Sequence, residues 1–204
     1  MTAISLSEYP RHTDRLRLRD GKTLTVRFVD ADEGEALQHY FRQLSMQSRH
    51  SRFLGAMSEL SASELGHFIH VGENDRFSVI AVMTIEGRET IVGEARYGFD
   101  FATASFEFGI SIDDRWQRQG IASALLDNLE CRAAALGARR MFGDTLRSNE
   151  AMIALARKSG FAFTRHPDDW KLARFEKPID AINQDIPCAS WKLAAERRAA
   201  EMVA

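Results

Sequence analysis

The sequence has few of the residues that mark several classes of protein. Only two of its 204 residues are cysteines, Cys131 and Cys188. They match no zinc-ligand spacing and no disulfide framework, so we expect no metal site and an inert buried thiol at Cys131. The net charge is −2, and this near balance of acids and bases gives no basic field that would indicate nucleic acid binding.

Long apolar runs are missing as well. The most apolar stretch, FSVIAVMTI at residues 77–85, is too short to span a bilayer and is typical of a buried strand. The N-terminal residues lack the apolar segment of a signal peptide, so we expect a cytoplasmic protein without membrane contact. Hydrophobic residues make up 45% of the chain and charged residues 27%, as in ordinary globular proteins.

The hydrophobic pattern predicts one α+β domain with a mixed, mostly antiparallel sheet flanked by helices. A hairpin that turns at Asp20-Gly21 begins this domain, and strands alternate with helices in its second half. We assign 15–177 to the domain, 1–14 to a loose arm and 178–204 to a tail whose end is compatible with a helix. Strands are predicted at 15–29 (the hairpin), 77–85, 90–99, 106–112, 139–146, 161–166 and 170–177, and helices at 30–44, 45–55, 61–70, 121–136 and 148–160. Asp30, with Glu33 three residues later, is the predicted cap of the first helix, and Ser61 with Glu64 is a capping box for the third. Gly137 is predicted to end the fourth helix, and Ser148 or Asn149 to cap the fifth.

One short motif, Gln117-x-x-Gly120-x-Ala122, stands between a predicted strand and a predicted helix. Backbone N–H groups and the helix dipole make a helix N-terminus a phosphate site, and Gly120 permits close approach to the backbone. Two other phosphate loops fit worse, because a dinucleotide fingerprint needs three glycines and a P-loop needs Gly-Lys-Ser/Thr. The structural alternative is a flexible residue placed before a helix.

In this order of elements, the motif resembles the cofactor loop of the GNAT acetyltransferases, Gln/Arg-x-x-Gly-x-Gly/Ala. A second segment is similar to the bacterial Pat-type protein lysine acetyltransferases, which share a Leu-Ser…Ser-Arg…Arg-Phe signature. The similarity covers about residues 22–165, and this chain would be a stand-alone member without the acyl-CoA-synthetase-like region of larger ones. The signature is matched by Leu44-Ser45, Ser48-Arg49 and Arg52-Phe53. We expect Arg49, His50 and Arg52 to form an exposed polar face, and the alternative is that they contact an acidic substrate surface.

The resemblance implies an acetyl-CoA-dependent N-acetyltransferase with a GNAT fold and direct transfer in a ternary complex. The expected acceptor is a protein lysine ε-amine, with acyl-CoA synthetases among the targets, and both a monomer and a homodimer stay open. The alternatives are the same chemistry on a small amine and a non-catalytic CoA-binding regulatory module. The implied cofactor contacts are Ile110, Ser111, Ile112, Gln117, Arg118, Gln119, Gly120, Ile121, Ala122, Ser123 and Asn149, with Arg115, Arg157 and Lys158 as further candidates for the outer phosphates.

Glu107 is the predicted general base. A lysine amine has a pKa of about 10.4 and is protonated at neutral pH, so a carboxylate within reach must take its proton. In the Pat-type enzymes a Glu on this strand is the proposed base, and Glu107 falls at the matching place. We expect it to be buried among Phe106, Phe108 and Tyr97. The alternative is an ion pair on the sheet face, for instance with Arg96.

Ala156 is a departure from many GNAT enzymes, which place there a Tyr that protonates the departing thiolate. A CoA thiol resembles a free cysteine with a pKa of about 8.5, so its thiolate is a tolerable leaving group. The absence therefore predicts reliance on Glu107 and on cofactor positioning. It is also the reason for keeping the non-catalytic alternative.

Overall fold

The computed structural model describes residues 13–71 and 76–179. Its strands are β1 (Asp14–Arg17), β2 (Thr23–Phe28), β3 (Arg76–Ile85), β4 (Arg88–Asp100), β5 (Ser105–Ile112), β6 (Arg140–Leu146), β7 (Ala162–Arg165) and β8 (Leu172–Pro178). Its helices are α1 (Gly34–Gln43), α2 (Met46–Phe53), α3 (Ala62–Ile69), α4 (Ile121–Leu136) and α5 (Glu150–Lys158), with a 3₁₀ turn at Asp114–Trp116.

All eight of these strands form one sheet in the order β1-β2-β3-β4-β5-β6-β8-β7. Neighbouring strands are antiparallel except β5 and β6, which are parallel. The predicted α+β fold with a mixed, mostly antiparallel sheet is therefore confirmed.

Local sequence sets the ends of several helices. Ser61 caps α3 in a full capping box, with the Glu64 side chain bound to the backbone N–H of Ser61. Helix α4 ends at Gly137, whose φ of 78° is left-handed and suits glycine. Both ends were predicted from the residue types alone.

Helix α1 begins differently from the prediction. Asp30 does not cap it, because the helix starts after Glu33, which makes no side-chain capping bond. The Glu33 carboxylate instead accepts a hydrogen bond from the Asp30 backbone N–H at 2.8 Å and pairs with Arg27 of β2 at 2.7 Å. The Arg27 guanidinium holds the pKa of Glu33 below its usual range. An ion pair therefore fixes this junction in place of the predicted cap.

Two apolar cores lie on opposite faces of the sheet. On one face, α4 packs through residues such as Leu129 against aromatic side chains that include Tyr97. On the other face, α1 and α3 pack through Phe41 and Phe68 against alternate residues of β3 such as Ile80. Because side chains alternate along a strand, each strand of the centre contributes to both faces.

Strands β5 and β6 separate after a short parallel contact. Their pairing joins only Ser105–Glu107 to Arg140–Phe142. At Gly143, an added Cβ would lie 2.8 Å from the Phe108 carbonyl oxygen and 2.6 Å from the ring of Phe175, so the close approach requires glycine. The strands diverge beyond this point and leave an opening in the sheet.

Cys131 contradicts one expectation. It is 2% exposed within α4 and is disulfide-bonded, so it is not a free thiol. Its partner lies outside the described residues, as do residues 1–12 of the predicted arm and residues 180–204 of the predicted tail.

Within the described part of the chain, no helix is long and apolar enough to cross a membrane, and no group of three His, Cys, Asp or Glu side chains is placed to hold a metal.

Candidate active site

A groove of about 640 Å³ runs between the end of β5, the loop before α4 and the start of α5. The side chain of Ile121 packs in the core at 1% exposure, and Gln119 donates to the Arg115 carbonyl at 3.2 Å; neither lines the groove. The structure brings the other predicted cofactor residues together as its lining: Ile110, Ser111, Ile112, Gln117, Arg118, Gly120, Ala122, Ser123 and Asn149.

The loop before α4 leaves the start of this helix open. Gly120 has a φ of 88°, and no side chain caps the 16-residue helix. Arg118, two residues earlier, also has a positive φ of 61°. The first four N–H groups of a helix have no partner within it, so this end presents donors and the positive end of the helix dipole. A Cβ added at Gly120 would meet nothing within 4 Å, so the loop is open to an anion and fits a pyrophosphate.

The open edge of β5 supplies further backbone donors. The Asp113 N–H donates to the Val92 carbonyl on the β4 side at 3.0 Å. Because antiparallel hydrogen bonding alternates along a strand, the N–H groups of Ile110 and Ile112 face away from β4, toward the groove. Consistent with this, the Ile112 carbonyl accepts from Gln117 Nε2 at 3.1 Å, and that bond ties the strand end to the loop. The edge fits the extended, amide-containing arm of a pantetheine group.

The hydroxyl of Ser111 is committed to a buried network beneath the groove. Ser111 Oγ donates to the Glu94 carboxylate at 2.8 Å and accepts from the Tyr40 hydroxyl at 2.9 Å. Arg52 of α2 pairs with the same carboxylate at 2.5 Å, with side-chain exposures of 13% for Arg52 and 1% for Glu94. Burial and the Glu94 charge raise the pKa of Tyr40, which keeps it a donor. Arg52 is thus largely buried, and its predicted place on an exposed face is wrong.

Asp114 fastens helix α2 to the cofactor loop. Its carboxylate accepts from the N–H and the hydroxyl of Ser45, both at 2.8 Å, and from the Ser48 hydroxyl at 2.7 Å. Burial alone would raise the pKa of Asp114, but these hydrogen bonds lower it. Arg49 donates to the Met57 carbonyl at 3.1 Å and steadies the other end of α2. The Leu-Ser…Ser-Arg signature therefore holds this helix beside the groove.

A second cavity, of about 540 Å³, adjoins the groove, and Glu107 lies on its wall. Glu107 is exposed, so the expected burial is wrong. Phe106, Phe108 and Tyr97 all belong to the core on the other face of the sheet, as strand alternation requires. Among the described residues no ion pair joins Glu107 to Arg96, so the alternative role as a structural ion pair is not seen either.

The groove and the second cavity meet at four residues that line both: Arg52, Phe108, Gly109 and Asp144. Asp144 is held by two hydrogen bonds from Arg174, at 2.9 and 2.8 Å. A ligand that extends along the groove would therefore present its end to the cavity that contains Glu107.

Asn149, one of the two predicted caps, caps α5. Its Oδ1 accepts from the Met152 N–H at 3.1 Å, and its Nδ2 donates to the Thr145 hydroxyl at 3.1 Å. Ala156, on the same helix, is fully buried, so this position supplies no acid to the groove.

The cationic candidates for the outer phosphates divide into two groups. Arg118 and Lys158 line the groove, whereas Arg157 does not. Arg115 is bound to Asp113 at 2.5 Å, and this bond directs its guanidinium to the protein itself.

The sequence analysis missed several polar residues of the site, among them Glu94 and Tyr40. Glu94 and Arg96 carry charges two residues apart within an apolar strand, a signal of a polar patch on one face. Tyr40 had no comparable signal, since its partner Ser111 lies 71 positions away in the sequence.

Comparison with known proteins agrees with this geometry. The sequence pattern of the Acetyltransferase (GNAT) family matches residues 35–161. An acetyltransferase of Pseudomonas aeruginosa is 28% identical over 152 residues, which cover 74% of this chain and 82% of that protein. The crystal structure of the GNAT domain of S. lividans Pat superposes with a TM-score of 0.75 at 30% identity, covering 84% of this chain and 99% of that one.

A more distant structure shares the fold alone. It is that of the Salmonella typhimurium protein yncA with its cofactor acetyl-CoA, at a TM-score of 0.60 and 18% identity, covering 81% of this chain and 98% of that one. The family match spans more than half of the present chain, from α1 to the end of α5. The chain therefore belongs to the GNAT family of acetyltransferases, and the prediction of an acyltransferase that uses acetyl-CoA is confirmed.

Proposed function

We propose that this acetyltransferase modifies lysine ε-amines of proteins, with acyl-CoA synthetases among its targets, and that Glu107 is its general base. One observation carries the proposal: Glu107 stands exposed in a cavity that joins the cofactor groove at Gly109 and Asp144. The 30% identity to the GNAT domain of S. lividans Pat, over 99% of that domain, supports a Pat-type acceptor.

The groove residues bind and orient the donor. When bound, acetyl-CoA supplies the thioester whose acetyl group is transferred. The N–H groups that begin α4, beside Gly120, bind the pyrophosphate. The N–H groups of Ile110 and Ile112 hold the pantetheine arm and donate to the thioester oxygen, where negative charge develops.

Glu107 prepares the acceptor. Its carboxylate takes a proton from the lysine ammonium, directly or through one water, and the neutral amine then has a lone pair with which to attack. Exposure of Glu107 suits this role, because a protein lysine must reach it from solvent. Ala156 offers no acid, which is tolerable because a thiol with a pKa of about 8.5 leaves readily as its thiolate.

The acceptor class is tested with labelled acetyl-CoA. Folded acyl-CoA synthetases form one arm, and polyamines, amino acids and aminoglycosides form separate arms, with products located by mass spectrometry. We expect acetyl-lysine on the synthetases. Label on small amines alone would overturn the protein acceptor, and binding of acetyl-CoA without product in any arm would overturn the proposed acceptor and base together.

A further inference from the structure

Two arginines lie on the same face of the sheet as Glu107, with glycine residues between them. In the register of β3, β4 and β5, Gly98 lies between Arg76 and Glu107, and Arg96 lies beside Gly109. Arg96 is thus the diagonal neighbour of Glu107, about 7–8 Å away. Arg76 is two strands from Glu107, about 10 Å away. All three side chains line the second cavity.

Arg96 is a cation with an unused donor. Its Nε is buried and has no hydrogen-bond partner among the described residues, and its guanidinium lies 5.2 Å from the ring of Phe68. The cavity's Arg52 and Arg140 are each paired with a glutamate, whereas within the described ranges neither Arg96 nor Arg76 has an ion pair. A buried donor without a partner is costly unless a ligand supplies the acceptor.

Among the described residues, no acid of the cavity forms an ion pair with Arg96 or Arg76. Asp144 is bound by Arg174, and Asp100 accepts hydrogen bonds from the following turn at Ala102 and Thr103. Burial and the nearby positive charges lower the pKa of Arg96, as expected of a site with excess positive potential. Among the described residues, two carboxylates of the cavity, Glu107 and Asp100, therefore have no ion pair, and they share the cavity with the unpaired guanidinium groups of Arg96 and Arg76.

This layout matches an acceptor that carries both charges. Building on the proposed function, we propose that Arg96 and Arg76 form an anion subsite, which selects target lysines flanked by an aspartate or glutamate. The lysine ammonium approaches Glu107 while the neighbouring carboxylate binds the guanidinium of Arg96, with Arg76 at the outer edge. A free amino acid carries the same pair of groups, so the test separates the two sources.

Selectivity is measured as kcat/KM for matched lysine peptides that carry either Asp and Glu or Asn and Gln beside the lysine. The native enzyme is expected to prefer the acidic peptide by roughly 10-fold or more, the size of a hydrogen bond between charged groups. Arg96→Gln and Arg76→Gln should remove most of this preference. The control is Arg88→Gln, at the far end of β4 outside the cavity, which should retain it.

A binding measurement keeps the subsite separate from the chemistry. The probe is the acidic peptide with norleucine in place of lysine, titrated by calorimetry into the native enzyme, Arg96→Gln and Arg96→Lys. We expect roughly 10-fold weaker binding to Arg96→Gln and partial recovery in Arg96→Lys. If Arg96→Gln does not fold, Arg76→Gln, at an exposed position, carries the test.

The outcomes are distinct. An acidic preference that is absent, or that survives both arginine variants, overturns the subsite and leaves the lysine acceptor in place. Arg96-dependent binding of the norleucine peptide without acetylation of any peptide or protein overturns the lysine acceptor and upholds the subsite. A third outcome is turnover of free amino acids in preference to their amides, dependent on Arg96 and without turnover of any peptide. This result overturns the lysine acceptor, upholds the subsite and assigns it to a small acceptor.

Discussion

Replacing Arg52 by Met is predicted to destabilise the protein far more than replacing an exposed arginine of similar geometry. Arg52 pairs with Glu94 at 2.5 Å, and Arg42 pairs with Glu59 at 2.6 Å. The distances are nearly equal, but the side-chain exposures are 13% and 1% for the first pair and 58% and 52% for the second. Burial therefore decides the difference.

The magnitude follows from what each substitution leaves behind. Without Arg52, the Glu94 carboxylate stays buried with the Ser111 hydroxyl as its one hydrogen-bond donor among the described residues, and an uncompensated buried charge costs about 3–5 kcal/mol. An exposed pair such as Arg42 with Glu59 contributes about 0–1 kcal/mol. The double variant Arg52→Met, Glu94→Leu should regain most of the loss, because apolar groups often replace a buried ion pair without net cost.

The assay is urea unfolding at neutral pH, followed by circular dichroism, for the two single variants, the double variant and the control Arg42→Met. The free energies of unfolding form a double-mutant cycle that isolates the coupling of Arg52 with Glu94. A loss in Arg52→Met no larger than that in Arg42→Met would refute the reasoning from burial. So would a double variant less stable than either single one.

Three further predictions concern the loop, the strand junction and acid stability. Gly120→Ala places a Cβ at a φ of 88°, so the loop should be strained by about 1–2 kcal/mol. Calorimetry should therefore show weaker binding of acetyl-CoA, and an unchanged affinity would contradict the role of the loop in cofactor binding. Gly143→Ala places a Cβ against the Phe108 carbonyl and the Phe175 ring, so the free energy of unfolding should fall by about 1–3 kcal/mol. An unchanged free energy of unfolding would show that β5 and β6 can move apart to accommodate the methyl group. The pKa of Glu33 is lowered by Arg27, so its contribution is complete above its unfolded pKa of about 4.3 and is lost as pH falls through the folded value. Glu33→Gln should thus flatten the loss of stability below about pH 4, and an identical acid limb in both proteins would count against this ion pair.

The elements that were predictable are those set by neighbours in sequence. The Ser61–Glu64 capping box, the Gly137 helix end and the Asn149 cap each depend on side chains within a few residues. The start of α1 was missed because the Glu33 carboxylate is bound by Arg27 from the preceding strand. A local capping rule has no access to that contact.

The sequence predicted which positions form the site, but not the burial of these residues or their contacts with residues distant in sequence. Alternation along β5 puts Glu107 on the face opposite Phe106 and Phe108, which excludes the burial expected among these rings, but it does not say which parts of that face the helices cover. Arg52 was assigned to an exposed face because its partner Glu94 lies 42 positions away. The contact from Ser45 to Asp114, which spans 69 positions, likewise had no signal in spacing.

The most direct test of Glu107 as general base is the kcat of Glu107→Gln. It is measured with saturating acetyl-CoA and an unmodified protein that the acceptor screen has identified as a target. Glu86→Gln, in the exposed turn between β3 and β4, is the matched control and should keep the native rate. We expect kcat to fall by about 10²–10⁴ in Glu107→Gln, the usual contribution of a positioned base, with an unchanged dissociation constant for acetyl-CoA. A kcat equal to that of the control would show that another group deprotonates the lysine.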